Sequence, residues 1–196
     1  RAKVVLNCTG PFTDSVRKMS DWPRNDIMTP AGGAHLTLPK HFAPESEGLI
    51  VPKTKDGRVV FMLPWLGGVI AGTTDALAPV TLRARASKDE VDFILDSIAP
   101  YLSVPATRAD VTSVWSGIRP LAADPTQAGT ENVSRDHLVV DEGDGMVTVT
   151  GGKWTTYRLM AEHAVDAAIR AADKESTASK AGIVVESMAS KAGVCR

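Results

Sequence analysis

The stretch TGGKWTTYRL, residues 150–159, places two adjacent glycines between a strand-like run and a helix-like run. Apolar and polar side chains alternate before it, and Leu159, Ala164 and Ala168 predict an inward helix face after it. A glycine pair before a helix N-terminus leaves backbone N–H groups accessible to an anion or a planar ligand. A tight turn explains the same residues without a ligand. Lys153 favours the ligand, because a cation beside backbone donors suits a phosphate or an electron-rich ring edge.

Composition restricts the partners of this 196-residue chain. With 43% hydrophobic and 23% charged residues, it is typical of one globular domain or two incomplete ones. Lys and Arg total 22 against 23 Asp and Glu, and a net charge of -1 gives no indication of nucleic-acid binding. Cys8 and Cys195 lack metal-ligand spacing and form no disulfide framework, which favours a reducing compartment. No apolar run approaches the roughly 18 to 20 residues that span a bilayer.

Strand-like segments precede one clear helix. KVVLNCTG (3–10) is typical of a buried strand ending in a tight turn, so the chain is expected to begin inside a domain, without a signal peptide. GAHLTLP, GRVVFMLPW and GVIAGTTD predict a mostly antiparallel sheet, with a hairpin-like turn at 56–58. Residues 87–102 predict an amphipathic helix that starts with Ser87 and has acidic residues in its first turn.

The second half adds a strand, a loop and a hairpin. Residues 110–125 predict a strand that runs into a loop marked by glycine and proline. DHLVVDEGDGMVTVTGG predicts a hairpin that turns at 142–145. The tail from Asp173 has no firm periodicity.

Three polar residues and one strand end are candidates for binding or catalysis, each with a simpler explanation. Arg119 precedes Pro120, which restricts its backbone, and a fixed guanidinium suits an anion; a solvated surface charge is the alternative. Arg135 in VSRDH can instead form a surface salt bridge. His35 in an alternating strand can be a general base or a hydrogen-bonded structural residue. IAGTTD, at 70–75, fits ordinary turn chemistry.

The order of the motifs is more informative than any one of them. They are NCTGPF, GGAHLTLP, LPWLGGVIAGTTD, WSGIRPL, VSRDH and GGKWTTYRLMAE. Over roughly residues 3–170 this order closely resembles the FAD-dependent, membrane-associated glycerol-3-phosphate dehydrogenases that pass electrons to quinone. SGIRPL followed by SRDH and GGKWTTYR is the most specific part. Amine- and glycine-oxidase-like flavoenzymes share only a looser form.

The resemblance implies an α/β (α+β) fold, in which part of a Rossmann-like FAD-binding domain is interrupted by a mostly antiparallel β-sheet substrate or cap domain. The end of the FAD-binding portion is expected at 1–20 and the cap domain at 21–112. The chain is expected to return to the FAD-binding domain at 113–172. Residues 173–196 are then a tail or a truncated C-terminal extension.

The resemblance also implies site residues. His35, Arg119 and Lys153 would be catalytic, and Arg135 would join them in binding glycerol 3-phosphate. No metal is implied. The residues expected beside FAD are Thr9, Gly10, Gly152, Lys153, Trp154 and Thr155.

One departure from the family matters most. The N-terminal Rossmann unit, with its Gly-x-Gly-x-x-Gly turn, is absent from the 196 residues, so the same polypeptide or a second chain is expected to supply it. The implied reaction oxidises sn-glycerol 3-phosphate to dihydroxyacetone phosphate. The alternative is a non-catalytic subunit or interaction module that kept the fold and lost the cofactor. The implied location is the mitochondrial inner membrane in a eukaryote, or the cytoplasmic membrane in a bacterium, by peripheral association.

Three geometric expectations follow. NCTGPF and GGKWTTYR should lie side by side although they are far apart in the chain. The strand at 3–8 should leave one edge without a neighbour. His35, Arg119 and Arg135 should open toward the same cleft.

Overall fold

The computed structural model describes residues 2–43, 46–54, 57–122 and 136–180, with side chains up to residue 174. The chain forms two compact units. The split unit comprises Arg1–Thr29 and Pro120–Arg196, and the inserted unit comprises Pro30–Arg119. The sequence instead put the boundaries at 20/21 and 112/113. The observed boundaries fall inside two strands, which is why no break in the pattern marks them.

The described residues form a mixture of strands and helices. The strands are β1 (Val5–Asn7), β2 (Met28–Pro39), β3 (Leu49–Val51), β4 (Val60–Trp65), β5 (Gly68–Gly72), β6 (Ala76–Leu77), β7 (Ser113–Ala122), β8 (His137–Asp141) and β9 (Met146–Gly151). The α-helices are α1 (Thr13–Arg17), α2 (Lys88–Ile98) and α3 (Tyr157–Lys180). None of the helices described is both long and apolar enough to cross a bilayer.

The inserted unit is built on an antiparallel sheet with the order β3-β4-β5-β2-β6, and β7 also pairs with β2. This confirms the mostly antiparallel sheet. Because side chains alternate along a strand, one face of the sheet is apolar and packs against α2. The buried residues of this core include Ala34, Leu36, Leu38, Val51, Val60, Met62, Val69 and Ala71 of the sheet and Ile94, Leu95 and Ile98 of α2.

A capping box starts α2 as the sequence predicts. The Ser87 side chain accepts from the Glu90 backbone N–H at 3.1 Å, and the Glu90 carboxylate accepts from the Ser87 N–H at 2.8 Å. The Glu90 carboxylate also accepts from the Thr74 hydroxyl at 2.6 Å, and that hydroxyl accepts from the Ala34 N–H at 2.8 Å. The cap therefore ties the helix to the sheet.

The split unit contains a three-stranded sheet with the order β1-β9-β8. β1 pairs with β9 in parallel, and β8 and β9 form the expected antiparallel hairpin. Among the described residues β1 pairs only with β9, so no described strand pairs with its other edge. Val5 is 50% exposed and Leu6 is 43% exposed.

The structure corrects two predictions and leaves a third untested. Arg119 is not in a loop, since β7 continues through Gly117 and Pro120 to Ala122. Among the described strands β7 pairs only with β2, and a proline, which lacks an N–H, is tolerated in such an edge strand. Leu159 is 47% exposed, whereas Ala164 faces inward. Asp56, in the turn at 56–58, and residues 181–196 of the tail lie outside the described residues.

The split unit contains a buried ion-pair network that was not predicted from the sequence. Arg17 donates to Glu142 at 2.6 Å and to Asp14 at 3.0 Å, and Arg24 pairs with Glu142 at 3.6 Å and with Asp144. Arg17 and Glu142 side chains are each only 6% exposed. Burial raises the pKa of Glu142, but the interactions with Arg17, Thr148 and Arg24 together outweigh it, so the pKa lies below its usual value. The network links α1 to the β8–β9 turn.

We expect Arg17→Met to lower the free energy of unfolding by about 3 to 5 kcal/mol, because it removes the hydrogen-bonded partner of buried Glu142 and leaves only the longer 3.6 Å contact with Arg24. Urea denaturation of the chain measures this change. Lys18→Met is the matched control, because the Lys18–Asp26 pair is 52% and 60% exposed, and it should cost under about 1 kcal/mol. Equal losses in the two variants would contradict a structural role for the network.

The same network predicts acid sensitivity. Glu142 has a lowered pKa in the folded chain, so its contribution to stability is present above its ordinary pKa and is lost as pH falls through the lowered value. Replacing both partners, as Arg17→Met with Glu142→Leu, should recover stability and flatten the pH dependence of unfolding below pH 4.5. A double variant as acid-sensitive as the wild type would contradict this assignment.

Candidate functional site

The turn after β1 is braced from inside by Asn7, which is 1% exposed. Its side-chain oxygen accepts from the Thr9 hydroxyl at 2.7 Å, and its side-chain nitrogen donates to the Thr13 carbonyl at 3.1 Å. The Thr13 hydroxyl donates to the Gly10 carbonyl at 2.7 Å. Gly10 has a φ of 58°, and the space where a Cβ would project from it is open. The backbone of Gly10 is therefore held in shape and left accessible on one side.

Other residues of the split unit pack closely against the positions where a Cβ would project from Gly151 and Gly152. Both residues have a φ of 76°, which favours glycine. A Cβ on Gly151 would lie 2.7 Å from the Asp136 carbonyl oxygen, and a Cβ on Gly152 would lie 2.6 Å from the Met160 sulfur. Close packing of the strand-to-helix turn alone thus requires both glycines. Packing of a tight turn is therefore sufficient to explain the glycine pair. Whether a ligand also binds at this turn depends on the cavity beside it.

An apolar cavity of about 230 Å³ joins the two glycine turns. Its lining is Cys8, Gly10, Pro120, Val149, Thr150, Gly151, Met160, Ala161 and Ala164. Gly10 and Gly151 therefore share one cavity, which confirms that NCTGPF and GGKWTTYR lie side by side. The volume is below the roughly 300–1,000 Å³ of pockets that enclose a whole ligand. The cavity fits an apolar ring edge of a larger cofactor.

The other predicted cofactor residues lie at the surface of the split unit. Lys153, Trp154 and Thr155 are exposed, Trp154 by 86%. Trp154 stacks on Tyr157 with ring centroids 5.6 Å apart. These residues stand next to the glycine pair, but they do not line the cavity.

His35 lies in the inserted unit, on the sheet face opposite α2. Its ring stacks on Trp115, with centroids 5.5 Å apart and planes 9° apart, and lies 5.7 Å from the Phe61 ring. The ring also lies over Gly72, where a Cβ would come within 2.5 Å of it. Burial lowers the pKa of His35, and the charge of Arg119 lowers it further. A neutral imidazole at physiological pH can accept a proton.

Arg119 is held by four acceptors of the inserted unit. One terminal nitrogen donates to the Gly32 carbonyl at 3.0 Å and to Asp75 at 3.2 Å. The other donates to the Thr73 hydroxyl at 2.6 Å and to the Thr74 carbonyl at 3.1 Å. These bonds use all four terminal N–H groups, and Nε–H has no partner among the described residues. The guanidinium is fixed as predicted, although a fork-like grip on an anion would require breaking some of these bonds.

The sequence marked the strand end at 70–75 as a candidate, but it did not identify its residues as the ones that hold Arg119. The GTTD segment suggested turn chemistry, yet Thr73 and Asp75 bind the guanidinium. Gly33 also contributes to this arrangement, because a Cβ on it would lie 2.1 Å from a terminal nitrogen of Arg119. The sequence contains the glycine pair at 32–33, the threonine pair at 73–74 and Arg119. That these residues lie together becomes evident only when the strand pairing is known.

The predicted site residues thus fall into two groups. His35 and Arg119 belong to the inserted unit, and the charge of Arg119 acts on the His35 pKa. Thr9, Gly10 and Gly152 belong to the split unit with Lys153 and its neighbours. Arg135 lies outside the described residues, so its expected place in the cleft stays a prediction.

Residues 1–158 match the model of the family described as FAD dependent oxidoreductase. The chain therefore belongs to the FAD-dependent oxidoreductases, and its mixed α/β fold with mostly antiparallel sheets agrees with that family.

Individual relatives indicate which kind of FAD-dependent oxidoreductase this chain resembles. A mitochondrial glycerol-3-phosphate dehydrogenase of Arabidopsis thaliana is 57% identical over 176 residues, covering 90% of this chain and 28% of the relative. The human mitochondrial glycerol-3-phosphate dehydrogenase is 50% identical over 172 residues, covering 87% of this chain and 24% of the relative. The chain thus spans about a quarter of the length of these curated relatives. These matches confirm the resemblance inferred from the motifs.

Solved structures agree with the sequence matches. A glycerol-3-phosphate dehydrogenase from Bacillus halodurans, complexed with FAD, matches with a TM-score of 0.72 and 30% identity, over 86% of this chain and 32% of that one. A glycine oxidase from Geobacillus kaustophilus matches with a TM-score of 0.55 and 20% identity, over 84% of this chain and 40% of that one. The second match shows the fold alone.

We expect Arg119→Met to raise the pKa of His35, because it removes a neighbouring positive charge. The pKa should stay below the ordinary 6.5, since burial is the larger cause of the shift. An NMR titration of the His35 ring protons in the chain measures this. Arg108→Met, which removes an exposed arginine paired with Asp92 in the same unit, is the control and should leave the titration unchanged. An unchanged His35 titration in both variants would contradict the proximity of the two charges.

Proposed function

We propose that this chain is part of an FAD-dependent glycerol-3-phosphate dehydrogenase, which oxidises sn-glycerol 3-phosphate to dihydroxyacetone phosphate and passes the electrons to a quinone. The observation that carries the proposal is the 57% identity to a glycerol-3-phosphate dehydrogenase over 90% of the chain. Identity at this level over most of the chain is expected when the substrate is shared as well as the fold.

The split unit is proposed as the FAD-binding portion and the inserted unit as the substrate or cap domain. The apolar cavity beside Gly10 and Gly151 would hold an edge of the flavin ring, with Thr9, Gly152, Lys153, Trp154 and Thr155 around it as proposed contacts. The 196 residues contain no Gly-x-Gly-x-x-Gly turn for the pyrophosphate. An N-terminal FAD-binding half, in the same or a second chain, would supply it beside the free edge of β1.

The proposed chemistry assigns a proton transfer to the inserted unit. FAD, when bound, supplies the acceptor for the hydride that leaves C2 of the substrate. His35 is neutral because of its lowered pKa, so its ring can accept the proton of the C2 hydroxyl or orient that hydroxyl. Arg119, Arg135 and Lys153 would attract the phosphate dianion, and Lys153 would stand nearest the flavin.

The proposed location follows the relatives. The plant and human relatives are named as mitochondrial proteins. We propose a mitochondrial location in a eukaryote, peripheral association with the inner membrane, and delivery of electrons to quinone there; a bacterial protein would use the cytoplasmic membrane.

The first test is turnover by the complete native protein that contains this chain. It should carry bound flavin and reduce a quinone analogue with glycerol 3-phosphate. His35→Asn should lower kcat by roughly 10²- to 10⁴-fold while flavin content stays constant, because acid–base catalysis is lost. A stable protein that carries no flavin and shows no turnover would favour the alternative, a non-catalytic module of a larger complex.

The cavity gives an independent prediction about the cofactor. Ala164→Leu should fill the cavity and reduce the bound flavin, measured by visible absorbance per mole of complete protein. Ala171→Leu is the matched control, because Ala171 is similarly buried in the same helix but does not line this cavity. Both changes overpack the unit, at a cost of about 1 to 3 kcal/mol, so a loss specific to Ala164→Leu would come from the cavity. Full flavin content in Ala164→Leu would remove the cavity from the cofactor site.

A further inference from the structure

The environment of Arg119 contains an apparent conflict with anion binding. Asp75 lies 3.2 Å from the guanidinium, with its side chain only 16% exposed. A carboxylate at this position neutralises much of the charge that would attract a phosphate and repels the phosphate itself. An acid in that place is favourable only if it contributes something else to the site.

The contacts indicate what that contribution is. Thr73 and Thr74 bind one terminal nitrogen of Arg119, and Asp75 binds the other together with the Gly32 carbonyl. The guanidinium also lies against Gly33, where no side chain fits. An arginine side chain has many rotamers, and fixing it before the ligand arrives reduces the entropy lost on binding. Asp75 is the only charged acceptor of these four, so it alone adds the attraction of an opposite charge to its hydrogen bond.

We propose that Asp75 is a positioning residue for Arg119, with Thr73 as its uncharged counterpart. The two side chains hold the terminal nitrogens against β2, so that Nε–H is the guanidinium donor left for an anionic group of the substrate. This rests on the proposed function, in which Arg119 meets a phosphate. The gain in orientation outweighs the loss of positive charge.

Positioning and simple neutralisation predict opposite results for Asp75→Asn. If Asp75 only neutralises Arg119, removing its charge strengthens binding of a dianion and lowers KM. If Asp75 positions Arg119, the guanidinium moves and KM for glycerol 3-phosphate rises by about tenfold or more, with a smaller change in kcat. Thr73→Val tests the same role without a change of charge, and it should also raise KM.

The experiment uses steady-state kinetics of the complete native protein with glycerol 3-phosphate and with glycerol, which lacks the phosphate. The expected result is a rise in KM for glycerol 3-phosphate in Asp75→Asn and Thr73→Val, with unchanged kcat/KM for glycerol. The control is Asp92→Asn, which breaks an exposed Asp–Arg pair of the same unit and should leave both substrates unaffected. A lower or unchanged KM in Asp75→Asn, or equal losses with both substrates, overturns the proposal.

Two further outcomes remain decisive. If Asp75→Asn does not fold, Thr73→Val alone decides by the same comparison. If the wild-type protein does not oxidise glycerol 3-phosphate, the proposed function falls, and a crystal structure of either variant then decides the positioning role. A guanidinium displaced from the Gly32 carbonyl supports it, and a guanidinium with its remaining contacts unchanged overturns it.

Discussion

The guanidinium of Arg119 holds together three segments of the inserted unit that are distant in the sequence. It lies in β7, donates to a carbonyl of β2, and binds the Thr73–Asp75 segment that follows β5. An arginine with a side chain 32% exposed would be costly here without acceptors; three of its acceptors belong to the Thr73–Asp75 segment and the fourth is the Gly32 carbonyl of β2. The Arg119 guanidinium therefore links β7 to β2 and to the segment after β5, in addition to the pairing of β7 with β2.

Because side chains alternate along the strands, one face of the sheet in the inserted unit packs into the core and the opposite face carries His35. Ala34 and Leu36 point into the core with α2, and His35 between them points the other way. There the imidazole is enclosed by Trp115, Phe61 and the backbone of Gly72. This enclosure is what lowers the His35 pKa, so the same packing that orients the ring also keeps it neutral.

In the split unit, two turns keep part of their backbone accessible while contacts inside the unit fix their conformation. The turn after β1 depends on a buried Asn7, and the turn after β9 depends on two glycines packed against Met160 and the backbone of β8. The remaining apolar space between the turns is lined mostly by small residues, together with Met160. Close internal packing and an accessible cavity are therefore produced by the same short segments, and neither explanation of the glycine pair excludes the other.

Periodicity and motif order in the sequence determined the antiparallel sheet, helix α2 with its Ser87 cap, the β8–β9 hairpin and the family. These features depend on local spacing, on caps and on short motifs. The tertiary structure decided that Arg119 lies in a strand, that Thr73 and Asp75 bind it, and that Arg17 and Glu142 form a buried pair. Such contacts join residues far apart in the chain, and their partners are defined only by strand register and by the burial that removes competing water. Local pattern carries no information about either.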